Sequence, residues 1–295
     1  MSAESTYYVP EQSKLPIFAS IALFTTVTGA GMWLNGSGYG PTVFWIGAFA
    51  FAAVLYTWFA TAIRENMQGL NNAQLKRSYV WGMGWFIFSE VMFFAAFFGA
   101  LFYVRMYAVP WLAGEGDKES TALLWEGFEA TWPLMTTPDQ AVNGAEATVK
   151  GPGGIFGPWG LPLLNTIILI TSSITVHFAH VGIKKGNRKS FQWWLLATVI
   201  LGATFMFFQA EEYYVAYTEL GLTLESGIYG STFFLLTGFH GAHVTLGTIM
   251  LLVQLLRSYK GHFKPDDHFG FEASSWYWHF VDVVWVGLFV FVYIL

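Results

Sequence analysis

Residues 79–104 read YVWGMGWFIFSEVMFFAAFFGALFYV and contain a single charged side chain, Glu90. An α-helix rises 1.5 Å per residue, so about 20 apolar residues cross the hydrocarbon core of a bilayer. This stretch exceeds that length, and it lacks the alternation of polar and apolar residues that a membrane β-barrel strand requires. It therefore predicts a transmembrane helix with an acidic residue near its middle.

Apolar stretches of this kind recur along the chain. They predict seven spans: Leu15–Leu34, Thr42–Ile63, Tyr79–Val104, Leu161–Ile183, Phe191–Tyr217, Ile228–Leu256 and Ala273–Leu295. The composition agrees with an all-α membrane protein, because 55% of the 295 residues are hydrophobic and only 11% are charged, against about 25% in soluble domains. It excludes a disordered or nucleic-acid-binding protein. The absence of cysteine excludes disulfides, iron–sulfur clusters and thiol catalysis.

Basic residues indicate the orientation of the chain. In a seven-span topology, Arg105, Lys118 and Lys150 fall on one side of the membrane. The remaining Lys and Arg residues fall on the other side, at positions 14, 64, 76, 77, 184, 185, 188, 189, 257, 260 and 264. By the positive-inside rule, the N-terminus lies in the cytoplasm or mitochondrial matrix, and the C-terminus lies outside.

Connection lengths predict the domain organisation. Residues 1–14 form a cytoplasmic N-terminus, and residues 15–63 form a hairpin of the first two helices, joined by the short segment 35–41. A cytoplasmic loop, 64–78, separates this hairpin from a bundle of five helices in residues 79–295. The bundle includes a long acidic outer loop, 107–159, and a shorter polar turn, 257–272.

Glu90 needs an explanation, because a charge near the bilayer centre costs about 2.5–3.5 kcal/mol even on insertion scales. The nearest basic residue in its span, Arg105, lies about four turns away. We therefore expect a protonated carboxyl at neutral pH. Two interpretations remain open: a proton-active or lipid-facing acid, and a neutral acid whose hydrogen bond locks two helices together.

His240 and His243 have the i, i+3 spacing that places two ligands on one helix face. A metal centre would need more ligands, for which Glu212, His279 and Asp282 are the candidates. The alternative is hydrogen bonding between helices that approach closely at glycines. We favour this alternative and predict no metal site and no catalytic residue in the chain.

Several motifs in the last two thirds of the chain resemble those of cytochrome c oxidase subunit III. They include His268-Phe269-Gly270-Phe271-Glu272-Ala273, Trp276-Tyr277-Trp278-His279-Phe280-Val281-Asp282-Val283-Val284-Trp285, Gly238-Phe239-His240-Gly241-Ala242-His243 and Gln209-Ala210-Glu211-Glu212-Tyr213-Tyr214. Ser89-Glu90-Val91 matches the family's span with a buried carboxyl. The matches cover about residues 58–110 and 155–292 in order.

The resemblance implies a two-helix hairpin and a five-helix bundle that form a V with phospholipid in the cleft. It implies a subunit without redox centres, which supports assembly, stability and proton uptake. Haem a, haem a3, CuA and CuB are then expected in subunits I and II, which are the implied partners. The whole complex oxidises cytochrome c, reduces O2 to water and pumps protons.

The resemblance also suggests site residues. Glu90 is the expected functional acid, and the expected lipid-binding residues are Trp58, Arg64, Arg77 and His240. The expected buried polar cluster consists of Glu212, His240, His243, Glu272, His279 and Asp282.

Some features depart from the family pattern or leave alternatives open. Trp58-Phe59-Ala60-Thr61 replaces a more polar family motif, and the outer loop is longer than in the compact mitochondrial form. The longer loop favours a bacterial inner-membrane protein. The alternatives are the homologous subunit of a quinol oxidase or nitric oxide reductase, and an autonomous transporter. The chain shows neither the inverted repeats nor the broken helices typical of a transporter.

Overall fold

The computed structural model describes residues 12–295, which contain helices, turns and loops but no β-strand. Seven helices are long and apolar enough to cross a membrane, which confirms the predicted fold class. They are α1 (Leu15–Leu34), α2 (Gly40–Met67), α3 (Ala73–Tyr103), α4 (Leu161–Lys184), α5 (Arg188–Thr218), α6 (Gly227–Tyr259) and α7 (Phe269–Leu288). A π-helical turn, Val104–Ala108, and a short helix, Val109–Leu112, extend α3, and a second π-helical turn, Phe289–Ile294, extends α7. The predicted N-terminal segment lies outside the described residues up to position 11.

Most helices are longer than the apolar runs that predicted them. The expected loop 64–78 is largely helical, because α2 continues to Met67 and α3 begins at Ala73. The expected turn 257–272 is shortened at both ends in the same way by α6 and α7. Hydropathy marks only the part of a helix that crosses hydrocarbon. Polar residues continue the helix beyond that part, so most helices extend past the predicted boundaries.

Local sequence signals explain where several helices begin and end. Proline occupies the first turn of α1, α2 and α4, where its missing N–H would have had no helical partner. Gly186 follows α4 with a φ of 69°, a conformation that only glycine adopts readily. The side chain of Asn187 then accepts a hydrogen bond from Ser190 N and caps α5. The sequence Gly186-Asn187 thus reverses the chain between two spans.

The chain divides into two compact units between Gly82 and Met83. In the first unit, α1 and α2 approach closely at three glycines. A Cβ atom would lie 2.2 Å from Phe44 N at Gly29, 2.3 Å from Trp33 N at Gly40 and 2.4 Å from Thr26 N at Gly47. No real Cβ makes such contacts. Small residues allow this backbone approach, which supplies the packing that holds membrane helices together.

In the second unit, two fully buried tryptophans of α7 form the centre of the core. Trp278 fits against Gly202 of α5 and Gly247 of α6, where an added Cβ would lie 2.8 Å from its ring. Its Nε1–H donates to Ser172 Oγ of α4 at 2.9 Å. Trp285 Nε1–H donates to Thr166 Oγ1 of the same helix at 3.0 Å. Both buried N–H groups are therefore satisfied, and α7 is fixed against α4.

The acidic outer loop contains short helices that its polar composition does not predict. Short helices occupy Glu119–Leu124 and Pro138–Asn143. Asp139 accepts hydrogen bonds from Val149 N at 2.9 Å and from Asn143 Nδ2 at 2.7 Å. These two bonds, in that order of importance, lower the pKa of Asp139 below its ordinary value of 3.8. The segment 137–149 is thereby closed on itself.

Candidate functional site

Glu90 contacts a histidine on another helix. Its Oε2 lies 2.8 Å from Nε2 of His243, and the two side chains are 22% and 12% exposed. The two residues lie close to the midpoints of the long helices α3 and α6. The sequence singled out both residues but did not pair them, because the i, i+3 spacing related His243 to His240 instead. The similar depth of the two residues in their spans was the signal that could have paired them.

Hydrogen-bond chemistry restricts the protonation of this pair. His243 Nδ1 lies 2.6 Å from the carbonyl oxygen of Phe239, and a carbonyl only accepts, so Nδ1 carries a hydrogen. The contact between Nε2 and Glu90 then needs one further proton. That proton belongs to the carboxyl when imidazole is neutral, or to the imidazolium when the carboxyl is ionised. In both forms the pair has no net charge, which suits a position in the middle of a membrane span.

Glu212 of α5 lies in a second interhelical contact. It is fully buried, and its Oε1 accepts a hydrogen bond from Tyr293 Oη at 2.7 Å. Tyr293 belongs to the π-helical turn after α7. Glu212 Oε2 has no hydrogen-bond partner within residues 12–295. One hydrogen bond thus attaches the end of the last span to α5.

His279 and Asp282 lie together on α7. Nδ1 of His279 is 3.8 Å from Asp282 Oδ2 and 2.7 Å from Ser173 Oγ of α4. The hydroxyl therefore makes the closer contact with the imidazole. The carboxyl is almost fully buried. This group joins α7 to α4.

His240 is fully buried and packs between aromatic rings. Its ring centroid lies 5.7 Å from that of Phe205 and 5.0 Å from that of Trp285. Its Nε2–H donates to the carbonyl oxygen of Val281 at 3.2 Å. His240 therefore has no surface that could contact a lipid headgroup, in contrast to the expectation for this residue.

Glu272 lies with two histidines at the beginning of α7. Its Oε1 is 3.0 Å from His180 Nε2 of α4 and 3.3 Å from His268 Nε2. Sequence reasoning assigned Glu272 to a polar cluster but did not connect it to these two residues. The expected cluster of six residues is instead distributed among separate contacts, and most of these contacts join two different helices.

The other expected lipid-binding residues lie in the first unit. Trp58 and Arg64 of α2 and Arg77 of α3 are all exposed. Arg64 lies in the last turn of α2 and Arg77 in the first turns of α3, so both guanidinium groups lie at helix ends. Positions of this kind suit contact with lipid phosphate.

Two cavities of the second unit lie apart from the buried acids. One, of about 360 Å³, is lined by apolar residues such as Phe156, Trp159 and Leu220. The other, of about 190 Å³, is lined by residues including Arg188, Phe191 and Lys264. Neither cavity is lined by Glu90, Glu212 or Asp282.

The family model for cytochrome c oxidase subunit III matches residues 5–115 and 130–295. Three relatives, each named cytochrome c oxidase subunit 3, align over 290 residues, or 97% of this chain. The protein of Oryctolagus cuniculus is 36% identical and that of Prototheca wickerhamii is 39% identical, each over 96% of its own length. The protein of Drosophila melanogaster is 37% identical over 95% of its length. Residues 116–129, which separate the two matched parts, belong to the acidic outer loop.

Proposed function

Because this chain belongs to the cytochrome c oxidase subunit III family, we propose that it is the supporting subunit of an aa3-type cytochrome c oxidase. Subunits I and II are its partners in this proposal, and they carry haem a, haem a3, CuA and CuB. The complex oxidises cytochrome c, reduces O2 to water and pumps protons. This chain supports the assembly and stability of subunit I and its proton uptake.

The observation that carries this proposal is the use of polar side chains between helices. Glu90 bonds to His243, Glu212 to Tyr293, and His279 to Ser173. Each of these contacts joins two different helical elements of the second unit. A hydrogen bond between membrane helices contributes on average about 0.6 kcal/mol. Such contacts stabilise a rigid bundle, which suits a subunit that supports a larger neighbour.

A role in lipid binding follows from the exposed residues of the first unit. Trp58, Arg64 and Arg77 combine an interfacial aromatic ring with two cations. Tryptophan is enriched at the level of lipid headgroups, and cations attract lipid phosphates. We include phospholipid bound at these three residues in the proposed function, and we do not include His240.

The proposed location is a bacterial inner membrane, with the N-terminus in the cytoplasm and the C-terminus in the periplasm. The asymmetric distribution of Lys and Arg supports this orientation. The long outer loop, part of which the family model does not match, supports the bacterial assignment.

Purification from the native membrane tests the proposal. The complex is isolated in mild detergent through an affinity tag on this chain. Co-elution with a haem a protein that oxidises cytochrome c is the expected result. Elution with a complex that oxidises only quinol, or that reduces nitric oxide, would support the homologous-subunit alternatives. Elution of the chain alone, with transport activity in vesicles, would support the transporter.

Depletion of this chain tests the supporting role separately. The depleted complex is expected to begin oxidising cytochrome c at a nearly normal rate and to lose activity after fewer turnovers. A depleted but otherwise complete complex that fails at the first turnover would contradict a non-catalytic role.

A further inference from the structure

Three side chains at one end of the second unit have the chemistry of a metal site. His180, His268 and Glu272 each offer one ligand atom, and these three atoms lie within 4.8 Å of one another. Two imidazoles and a carboxylate form a ligand set that zinc accepts, with a water molecule as the fourth ligand. We propose that these residues form a binding site for Zn²⁺ or a similar divalent transition-metal ion, in contrast to the absence of a metal site that the sequence alone predicted.

The orientation of the His268 ring is the first observation that supports the metal site. Its Nδ1 lies 3.1 Å from the carbonyl oxygen of Lys264, and a carbonyl only accepts, so Nδ1 carries a hydrogen. In neutral imidazole the lone pair is then on Nε2, the atom that faces Glu272. A hydrogen bond from the second ring nitrogen to a carbonyl is the arrangement that orients metal-binding histidines.

The absence of a hydrogen bond at His268 Nε2 is the second observation that supports the metal site. His268 Nε2 is buried and makes no hydrogen bond with any residue from 12 to 295. It lies 3.3 Å from Glu272 Oε1, but the contact lacks the geometry of a hydrogen bond. Two atoms with lone pairs therefore face each other. A cation between them would turn this unfavourable contact into two coordinate bonds.

The distances are compatible with tetrahedral coordination. Zinc–nitrogen and zinc–oxygen bonds of about 2.0–2.1 Å place neighbouring ligand atoms about 3.3–3.4 Å apart. Glu272 Oε1 is 3.3 Å from His268 Nε2 and 3.0 Å from His180 Nε2. To admit the ion, His180 gives up the hydrogen bond between its Nε2 and Glu272 Oε1 and carries its hydrogen on Nδ1 instead, with small movements of the side chains.

The site is both supported and accessible. His268 immediately precedes α7 and Glu272 lies in its first turn, so the i, i+4 spacing brings them to one face. Phe271 lies between these two residues in the sequence and is fully buried. Its ring centroid is 5.8 Å from that of His180 and 4.8 Å from that of Phe191. The side chains of His180 and Glu272 are 21% and 26% exposed, which leaves an entry path for the ion.

Nearby charges limit the expected affinity. Lys184 follows His180 by one helical turn. This cation opposes a divalent ion, whereas Glu272 supplies one negative charge. We therefore expect a reversible site that is filled when zinc is added, rather than one that keeps its ion through purification.

Zinc titration of the purified complex that contains this chain tests the site. Wild-type complex is dialysed, titrated with Zn²⁺ alone and compared with Glu272→Gln and His268→Gln. We expect each variant to bind zinc at this site with an affinity about tenfold or more below that of the wild-type complex, because one ligand is lost. His177→Gln is the matched control: it removes an exposed histidine one turn earlier in α4, and it should bind as the wild type does. Equal zinc binding by all four proteins would overturn the proposal.

A second measurement needs no variant and so does not depend on variant folding. Anomalous scattering at the zinc edge, recorded from zinc-soaked crystals of the wild-type complex, is expected to show a peak between the three side chains. A soaked complex without a peak at this position would overturn the proposal.

Discussion

Glu90 Oε2 lies 2.8 Å from His243 Nε2, and this contact joins the middles of α3 and α6. Because His243 Nδ1 donates to the Phe239 carbonyl, the contact holds one proton between an acid and a base. The carboxyl therefore has a protonated form available in a region where an isolated carboxylate would be costly. The two interpretations left open for Glu90, a proton-active acid and a link between helices, are both compatible with this pair.

A hydrophobic carbodiimide is expected to label Glu90 selectively. Such reagents require a protonated carboxyl, and the Glu90 side chain is 22% exposed whereas Glu212 is fully buried. Mass spectrometry of peptides after labelling of the purified complex checks this. Glu90→Gln should remove the label and leave O2 reduction nearly normal, with any effect appearing in proton translocation or in the lifetime of turnover. A fully assembled Glu90→Gln complex that cannot transfer electrons would show that Glu90 belongs to the catalytic path.

Tyr293→Phe is expected to lower stability by about 1–3 kcal/mol, because Glu212 then loses its hydrogen-bond donor in a buried site. The double variant Tyr293→Phe with Glu212→Leu removes both polar partners and should recover much of this loss. Thermal unfolding of the purified protein, measured for both single variants and the double variant, gives the coupling energy. Strictly additive effects would mean that the hydrogen bond does not stabilise the end of α7.

Gly29→Ala is expected to destabilise the contact between α1 and α2 by about 1–3 kcal/mol, because the new Cβ would overlap Phe44 N at 2.2 Å. Gly31→Ala, two residues along the same helix, is the matched control. Its Cβ would meet no atom within 4 Å, so its effect should be about 0.5 kcal/mol or less. Thermal unfolding in detergent measures both variants, and equal melting temperatures for the two would contradict this account of the hairpin.

The segment 137–149 is expected to loosen under acid conditions. The pKa of Asp139 is lowered by the hydrogen bonds from Val149 N and Asn143 Nδ2. A group with a lowered folded-state pKa contributes stability that is present above the unfolded value of 3.8 and lost as the pH falls through the folded value. Pepsin cleavage of this segment at several acid pH values, relative to the variant Asp139→Asn, checks the prediction. A constant ratio of the two cleavage rates would exclude Asp139 as the responsible group.

The sequence predicted the number of spans and identified Glu90, Glu212, Glu272 and Asp282 as buried acids, but it did not predict which side chains they contact. Seven apolar runs suffice for seven helices, because hydrocarbon thickness sets a minimum length. The partner of Glu90 depends on how far each helix is rotated and shifted against the next. That information lies in packing contacts such as those of Trp278 with Gly202 and Gly247, which no local pattern encodes.

The same limitation applies to the ends of the spans and to the outer loop. His180 and Glu272 lie 92 positions apart in the chain and come together only through the packing of α4 against α7. The closure of the outer loop depends on Asp139 reaching Val149, a contact that composition alone does not indicate. Hydropathy placed His180 at the end of an apolar run, Glu272 in a polar turn and Asp139 in a polar loop, and it paired none of them.

The position of Trp278 in the chain has a consequence for biosynthesis. This residue fills the space beside Gly202 of α5 and Gly247 of α6, yet it lies on α7 and is translated after both. Until then, Ser172 and Thr166 lack the indole donors that they receive in the finished protein. The bundle therefore completes this packing only after α7 has been synthesised. A prematurely terminated chain would retain an open, partly polar seam, which membrane quality-control proteases could recognise.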